Sequence, residues 1–276
     1  MYDISKVKDI EIRPITKEET LYIVLRNHYS KIMPKLTKHF LGGFINGELV
    51  AAITLGWGVR PVHTIKLLFP SLDIKDYYEI GKMCLIEELP KNSESIFLSK
   101  VIQYTKEKLP HIKVIFTWAD GILGKPGYVY QAANFLYGGY IMTDLYLGSD
   151  GEKIHPRTSQ RLSKTDDTKY GRRPTVDFMK KNNWTHWKGK QFRYILFTCD
   201  KRERKKLLRE SPFVWSINYP KDVDLIWQYL DFDTRKWITT TDILPYNKDS
   251  GLQFNRTAIE NLRIVKTMER AKKFFW

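Results

Sequence analysis

A chain of 276 residues, 42% hydrophobic and 14% aromatic, can bury a sizeable core and lies outside the compositional range of disordered proteins. No apolar run approaches the roughly 20 residues needed to cross a bilayer, the start Met1–Lys6 lacks a secretory h-region, and two cysteines (Cys84, Cys199) give neither a disulfide framework nor a metal-ligand spacing. The net charge of +15 is uneven, with 18 Lys/Arg against 16 Asp/Glu in residues 1–150 but 28 against 15 in residues 151–276.

In chain order, Lys17–Lys31 reads as a helix leading into Asn27-His28-Tyr29-Ser30. Apolar runs at 40–45 and 49–55 flank Asn46-Gly47, the strongest short hairpin signal, because both turn positions need positive φ. An extended run, Tyr77–Ile86, leads into Glu87–Asn92. A helix then starts, with Asn92 or Ser93 as its cap and Glu94 in its first turn, and it stops at Pro110. Lys113–Trp118 is a short strand ending at Ala119-Asp120-Gly121. A short helix follows around Tyr128–Leu136, then a strand at Tyr140–Leu147. Residues 148–190 read as a long basic surface loop, and Gln191–Thr198 returns as a strand. Lys201–Arg209, with six basic residues, is a helical end. The tail beyond Lys221 reads as an appendage with an amphipathic helix through Ile259, Leu262, Val265, Met268 and Ala271. This order predicts an α/β protein: a mixed sheet with at least one parallel crossover and helices on its faces.

Three places carry candidate chemistry. The loop Pro90-Lys91-Asn92-Ser93-Glu94-Ser95 sits between a strand and a helix N-terminus, where free amides and the dipole suit a phosphate, although a simple cap uses the same residues. Asp120 stands where a strand ends and a glycine-containing loop begins, a common location for functional groups and also for an Asx turn. His28 beside Tyr29 offers an acid/base pair. The basic residues Arg157, Arg161, Arg172, Arg173, Lys188, Lys190, Arg193, Lys201, Arg202, Arg204 and Lys205 are interleaved with Tyr170, Trp184, Trp187 and Tyr194. Such a pattern neutralises phosphates and stacks on bases, which makes nucleic acid the expected partner; a charged rim over buried aromatics is the alternative.

Tyr130-Gln131-Ala132-Ala133-Asn134-Phe135 resembles the Tyr-x-x-x-Gly-Phe signature of GNAT acyltransferases. The chain is more similar still to phage Mom-type DNA adenine-modification proteins, which have divergent GNAT-like folds. That likeness rests on Asn27-His28-Tyr29-Ser30, Gly47–Val50, Pro90–Ser95, Ala119-Asp120, Gly127–Asn134, Phe192–Ile195 and Tyr219-Pro220-Lys221. It departs from the pattern at Lys82, Thr117, Lys125 and Asn134, where an arginine, a serine, a histidine and the GNAT glycine are expected, and it lacks the Gly-rich CoA loop.

The resemblance implies a GNAT-like transferase domain over 1–221, with 151–221 as its basic nucleic-acid-facing part; residues 222–276, outside the resemblance, are a C-terminal extension of unknown role. It implies that a carbamoylmethyl-like group is added to adenine N6, which protects DNA from restriction. Asp120 would act as base or orient the adenine, Tyr130 would protonate the leaving group, and His28, Tyr29, Glu79 and Lys82 would line the pocket. Acyl-CoA or a related activated donor would lie along Met83, Cys84, Leu85, Pro90, Asn92, Ser93, Glu94, Ser95 and Asn134. No metal is expected, and the setting is a cytoplasm without membrane attachment. Competing readings are a GNAT-type N-acyltransferase acting on an aliphatic amine of a hypermodified base, a protein or a small molecule, and a non-enzymatic DNA-binding protein.

Overall fold

The computed structural model describes residues 3–28, 33–154, 174–242, 244–245, 263–267 and 269. Its elements are α1 (Ile4–Lys8), β1 (Glu11–Pro14), α2 (Lys17–Asn27), β2 (Leu36–Ile45), β3 (Glu48–Trp57), α3 (Pro61–Leu68), β4 (Tyr77–Leu85), α4 (Ser93–Lys108) and β5 (Val114–Ala119). There follow α5 (Tyr128–Ala132), β6 (Leu136–Leu147), β7 (Lys153–Ile154), α6 (Val176–Lys181), β8 (Thr185–Phe197), α7 (Lys201–Glu210), β9 (Trp227–Leu230) and β10 (Trp237–Thr240). Ten strands form one mixed sheet in the order β1-β2-β3-β4-β5-β8-β6-β7, with β9 pairing β8 and β10 pairing β9. All pairings are antiparallel except β4–β5, which α4 connects. The expected α/β class, a mixed sheet flanked by helices, is the one observed.

Period-two alternation in β5 sets the layers. Ile115 and Ala119 join the core beneath α1 and α4, with Phe97, Leu98 and Val101. Val114 and Phe116 face the other way, towards Ile65 and Leu68 of α3 and Leu207 of α7. A third cluster seats Leu21, Val24 and Leu25 of α2 against Ala52 and Cys84. Thr16 and Glu19 start α2 with a reciprocal capping box.

Several sequence expectations shift. The Asn46-Gly47 turn forms with both residues at positive φ, as predicted. The helix expected over Lys17–Lys31 ends at Asn27, and residues 29–31 lie outside the described ones. The short helix stops at Ala132 because Asn134 turns the chain at φ 61. β6 therefore begins at Leu136 and not at Tyr140. The glycine pair at 138–139 hides that earlier start. It is a bulge inside the strand, where Gly139 takes φ 83 and a Cβ on Gly138 would lie 2.1 Å from the Trp215 ring.

The expected loop 148–190 contains β7, α6 and the first six residues of β8. Met179, Trp184, Tyr146 and Ile154 form a small core there, which the surrounding charges conceal in the sequence. The described residues just beyond Lys221 are packed into the fold, where an appendage was expected. β9 pairs Trp187–Gly189, and Leu225, Trp227 and Leu244 belong to the main core. Of the expected terminal helix, residues 263–267 are helical with Val265 buried; Ile259, Leu262, Met268 and Ala271 lie outside the described residues.

Candidate active site

Strands β4 and β5 are hydrogen-bonded only at Tyr77–Glu79 against Val114–Phe116, and then part. The divergence has a local cause: Thr54 pairs Lys82 while the next residue, Leu55, pairs Ile80, so Gly81 is an extra residue in β4. The gap opens into a cleft of about 1210 Å³. Thirteen sequence-predicted residues line it: His28, Glu79, Lys82, Met83, Cys84, Leu85, Pro90, Asn92, Ser93, Glu94, Ser95, Asp120 and Tyr130. Tyr29 lies outside the described residues. Asn134 is exposed and is not among the lining residues; its left-handed backbone, which Asn tolerates best after Gly, gives it a turn-forming role in place of a donor contact.

Asp120 ends β5, and its main-chain carbonyl accepts hydrogen bonds from the N–H groups of Leu123 and Lys125, which hold the following turn. Its Oδ1 accepts from Gln191 Nε2 at 3.1 Å. Gln191 also lines the cleft, and sequence reasoning missed it: only the β5–β8 register, Ala119 opposite Phe192, brings it beside Asp120. Trp118 and Trp57 are further unpredicted lining residues.

Tyr130 projects from α5 and shares a hydrogen bond with Thr117, while burial and the Asp120 charge push its phenol pKa up. The helix carrying it is anchored at several points. Gln131 Nε2 donates to Tyr194 Oη at 3.1 Å and to the Pro220 carbonyl at 2.9 Å, Lys221 Nζ donates to Gln131 Oε1 at 3.2 Å, and Tyr219 Oη donates to the Phe135 carbonyl at 2.8 Å. The Tyr219-Pro220-Lys221 motif thus clamps the helix that presents Tyr130.

On the opposite wall, burial lowers the Lys82 ammonium to about pKa 8; the Lys153 charge adds to this and the Asp120 carboxylate opposes it. Burial raises the Glu79 carboxyl, against the hydrogen bonds it accepts from the Gly58 N–H and from Tyr77 Oη at 3.3 Å. His28 is buried and caps the end of α2 through its main-chain N–H to the Val24 carbonyl at 2.9 Å.

At the mouth, α4 begins from Asn92 in a left-handed conformation (φ 73) with no side-chain cap. The Ser93 N–H and hydroxyl both bond the Pro90 carbonyl, at 3.3 and 2.5 Å, and the Ser95 hydroxyl bonds the Asn92 carbonyl at 2.9 Å, so no side-chain oxygen is turned onto the amides of Glu94 and Ser95. A positive helix end, with Lys91 beside it, therefore faces the cleft below the free edge of β4. The chemistry of this donor set suits the phosphates of a nucleotide-bearing acyl donor, with Met83–Leu85 along its length.

Among the described residues, the predicted basic ones are not brought together. Lys188 and Lys190 lie on β8 just before Gln191. Arg193 is not a surface phosphate ligand: it is buried, its guanidinium donates to the Gly138 carbonyl, and it lies 5.2 and 4.0 Å from the centroids of the Trp118 and Phe213 rings. Lys201, Arg202, Arg204 and Lys205 belong to α7, which Glu203 ties to Lys113 at 2.8 Å, at the start of β5. Asp120 lies just past the other end of that strand, roughly 23 Å from Lys113 along it, so these four do not border the cleft. Arg157, Arg161, Arg172 and Arg173 lie outside the described residues. Among the described residues no group of three or more His, Cys, Asp or Glu is placed to hold a metal, and no helix is long and apolar enough to cross a membrane.

Comparison with known proteins places this cleft in a family context. The chain is 28% identical over 200 residues to a methylcarbamoylase mom of Escherichia phage Mu, covering 72% of this chain and 80% of that one. Among solved structures, a GNAT family acetyltransferase from Elizabethkingia anophelis with acetyl-CoA bound aligns at 15% identity over 68% of this chain and 97% of that one, with a TM-score of 0.34. A spermidine/spermine N-acetyltransferase from Vibrio cholerae aligns at 10% identity over 72% and 98%, with a TM-score of 0.39. The Mom protein family matches residues 9–221, a span that contains β4, β5, α4, α5 and every residue of the cleft described above, and the chain belongs to that family.

Proposed function

We propose that the chain is a DNA-modifying transferase that places a small acyl- or carbamoylmethyl-like group on a base amine, with adenine N6 the favoured acceptor, and so protects DNA from restriction. The observation that carries this reading is the convergence of Asp120, Tyr130 and the uncapped start of α4 on one cleft within the family-matched residues.

The difficulty in the reaction is the acceptor. An aromatic amine delocalises its lone pair into the ring, so a proton must leave as the new bond forms. The reaction forms a bond between the amine nitrogen and the donor carbon and breaks the bond from that carbon to its leaving group. Asp120, held by Gln191 through one oxygen, takes the amine proton. Tyr130, kept protonated by burial, gives its proton to the leaving group. Lys82 places a positive charge in the same cleft, where it stabilises negative charge developing on the transferred group. An acyl-CoA or related donor would be held by Met83–Leu85 and the Pro90–Ser95 turn and would supply the activated carbon. The target base has to leave the helical stack to reach Asp120.

Nucleoside mass spectrometry of DNA from expressing cells tests the reading. A deoxyadenosine of increased mass is expected, together with resistance of that DNA to restriction digestion. Unmodified nucleosides beside soluble, folded protein contradict it. A modified protein or polyamine in the same cells would favour an ordinary N-acyltransferase instead.

A further inference from the structure

We propose that one face of the sheet, where β6, β8, β9 and β10 run side by side beyond the cleft, is a stacking platform for unpaired bases of nucleic acid, flanked by two phosphate-binding lysines. This rests on the DNA-modifying reading above and specifies where the polynucleotide lies.

Strand register assembles the face. The pairs Asp144–Lys188, Met142–Lys190 and Tyr140–Phe192 put Lys188 and Lys190 on the same side as Tyr140 and Met142. Trp237 joins them from β10, with Lys188 Nζ 3.8 Å from its ring centroid, and Lys190 Nζ is 4.7 Å from that of Tyr140. His186 fixes the far end: it contacts Asp144 Oδ1 at 3.0 Å and meets the Trp237 ring edge-on with centroids 4.8 Å apart. Asp144 is thereby engaged by His186.

Tyr140 and Met142 are large apolar side chains in mid-strand, yet they are 50% and 44% exposed. Each ring carries an ammonium group over one face, and Lys190 Nζ also donates to the Asp224 carbonyl at 2.6 Å. An unpaired base stacking on these rings shifts the ammonium groups towards its phosphates, where they neutralise the backbone. An apolar protein surface laid over the same face would have to desolvate both ammonium groups, which disfavours it. The strip adjoins the cleft along β8 without sharing its face: the residue after Lys190 is Gln191, the partner of Asp120, whose side chain points to the other side of the sheet. Trp237 lies beyond the family-matched residues 9–221, so the platform draws on strands outside that match.

The test is fluorescence anisotropy of the full chain with a labelled single-stranded oligonucleotide and with its duplex, run beside nucleoside mass spectrometry. Single strands are expected to bind more tightly than the duplex. Tyr140→Ala and Trp237→Leu should each weaken single-strand binding about tenfold. The double variant Lys188→Ala/Lys190→Ala should reduce the slope of log affinity against log salt by about 2. Lys106→Ala/Lys108→Ala, on the exposed last turn of α4, serves as the charge-matched control and should change neither. Thermal melting within a few degrees of the parent shows that each variant is folded.

If the platform variants bind as tightly as the parent while DNA is still modified, the platform is overturned and the transferase reading survives. If they alter sedimentation and leave affinity unchanged, the face is an interface between copies, and the platform is again overturned. If the parent neither binds nor modifies DNA, both fall.

Discussion

At the scale of single residues, the cleft depends on how Asp120 is held. Gln191→Glu would place a second carboxyl 3.1 Å from Asp120 Oδ1. Two carboxylates that close share a proton, and one pKa rises. The added carboxyl competes for the proton that the base must take, so activity should fall by about tenfold or more at neutral pH and recover as pH increases. Gln191→Leu should lower activity without that alkaline shift, and pH–rate profiles of the two variants separate the cases.

Lys82 gives a second pH signature. Its folded pKa of about 8 lies below the ordinary value of 10.5. Between those two values the unfolded chain holds a proton that the folded chain does not, so wild-type stability should rise with pH across that window. The Lys82→Met variant should lack this rise in denaturant titrations at pH 7 to 10. The Lys82 positive charge is present below about pH 8 and lost above it, so an alkaline limb near that pH should move upward in Lys82→Arg. Asp120 was legible in the sequence because a strand end before a glycine-containing loop is a visible local pattern. Gln191 was not, because nothing local marks the residue that will lie across a strand pairing 71 positions away.

At the scale of elements, the legible ones were those whose cause is local. The Asn46-Gly47 hairpin and the short β5 follow from turn chemistry and β-branched composition, and α4 starts where expected, although Asn92 sets its start through a left-handed backbone and no side-chain cap forms. The earlier start of β6 was hidden because Gly138-Gly139 reads as a break, whereas the Trp215 ring occupies the space a side chain there would need. Asn134 illustrates the reverse error: the resemblance placed it with the donor, while its φ of 61 places it in the turn that stops α5. Asn134→Gly should leave stability unchanged or slightly raised, and Asn134→Ala should cost about 1 kcal/mol in urea titrations. An equal effect of both substitutions on activity with no effect on stability would return Asn134 to the cleft.

At the scale of the whole molecule, charge and chain length were read correctly as quantities and incorrectly as places. The basic excess of residues 151–276 is real, but α7 carries its densest part to the far end of β5. That separation exceeds a Debye length of about 8 Å at physiological salt. Neutralising Lys201, Arg202, Arg204 and Lys205 together should therefore weaken DNA binding far less than neutralising Lys188 and Lys190, by anisotropy at that salt concentration. The described residues beyond Lys221 also belong to the fold. Trp227 is buried and its Nε1 donates to the Ile122 carbonyl, next to the Asp120 turn, at 2.8 Å. Trp227→Ala should cost about 3–5 kcal/mol in denaturant titrations, and a cost near zero would mean the C-terminal strands are dispensable. No local pattern could announce this, because β9 is recruited through a pairing with β8 about 40 residues earlier in the chain.

The account stands most directly on the nucleosides of DNA recovered from cells expressing the parent and Asp120→Asn chains at equal soluble levels. It predicts a mass-shifted deoxyadenosine with the parent and at least a hundredfold less with Asp120→Asn, the scale of general-base loss. Equal modification by both chains would contradict the placement of the chemistry at the parted strands.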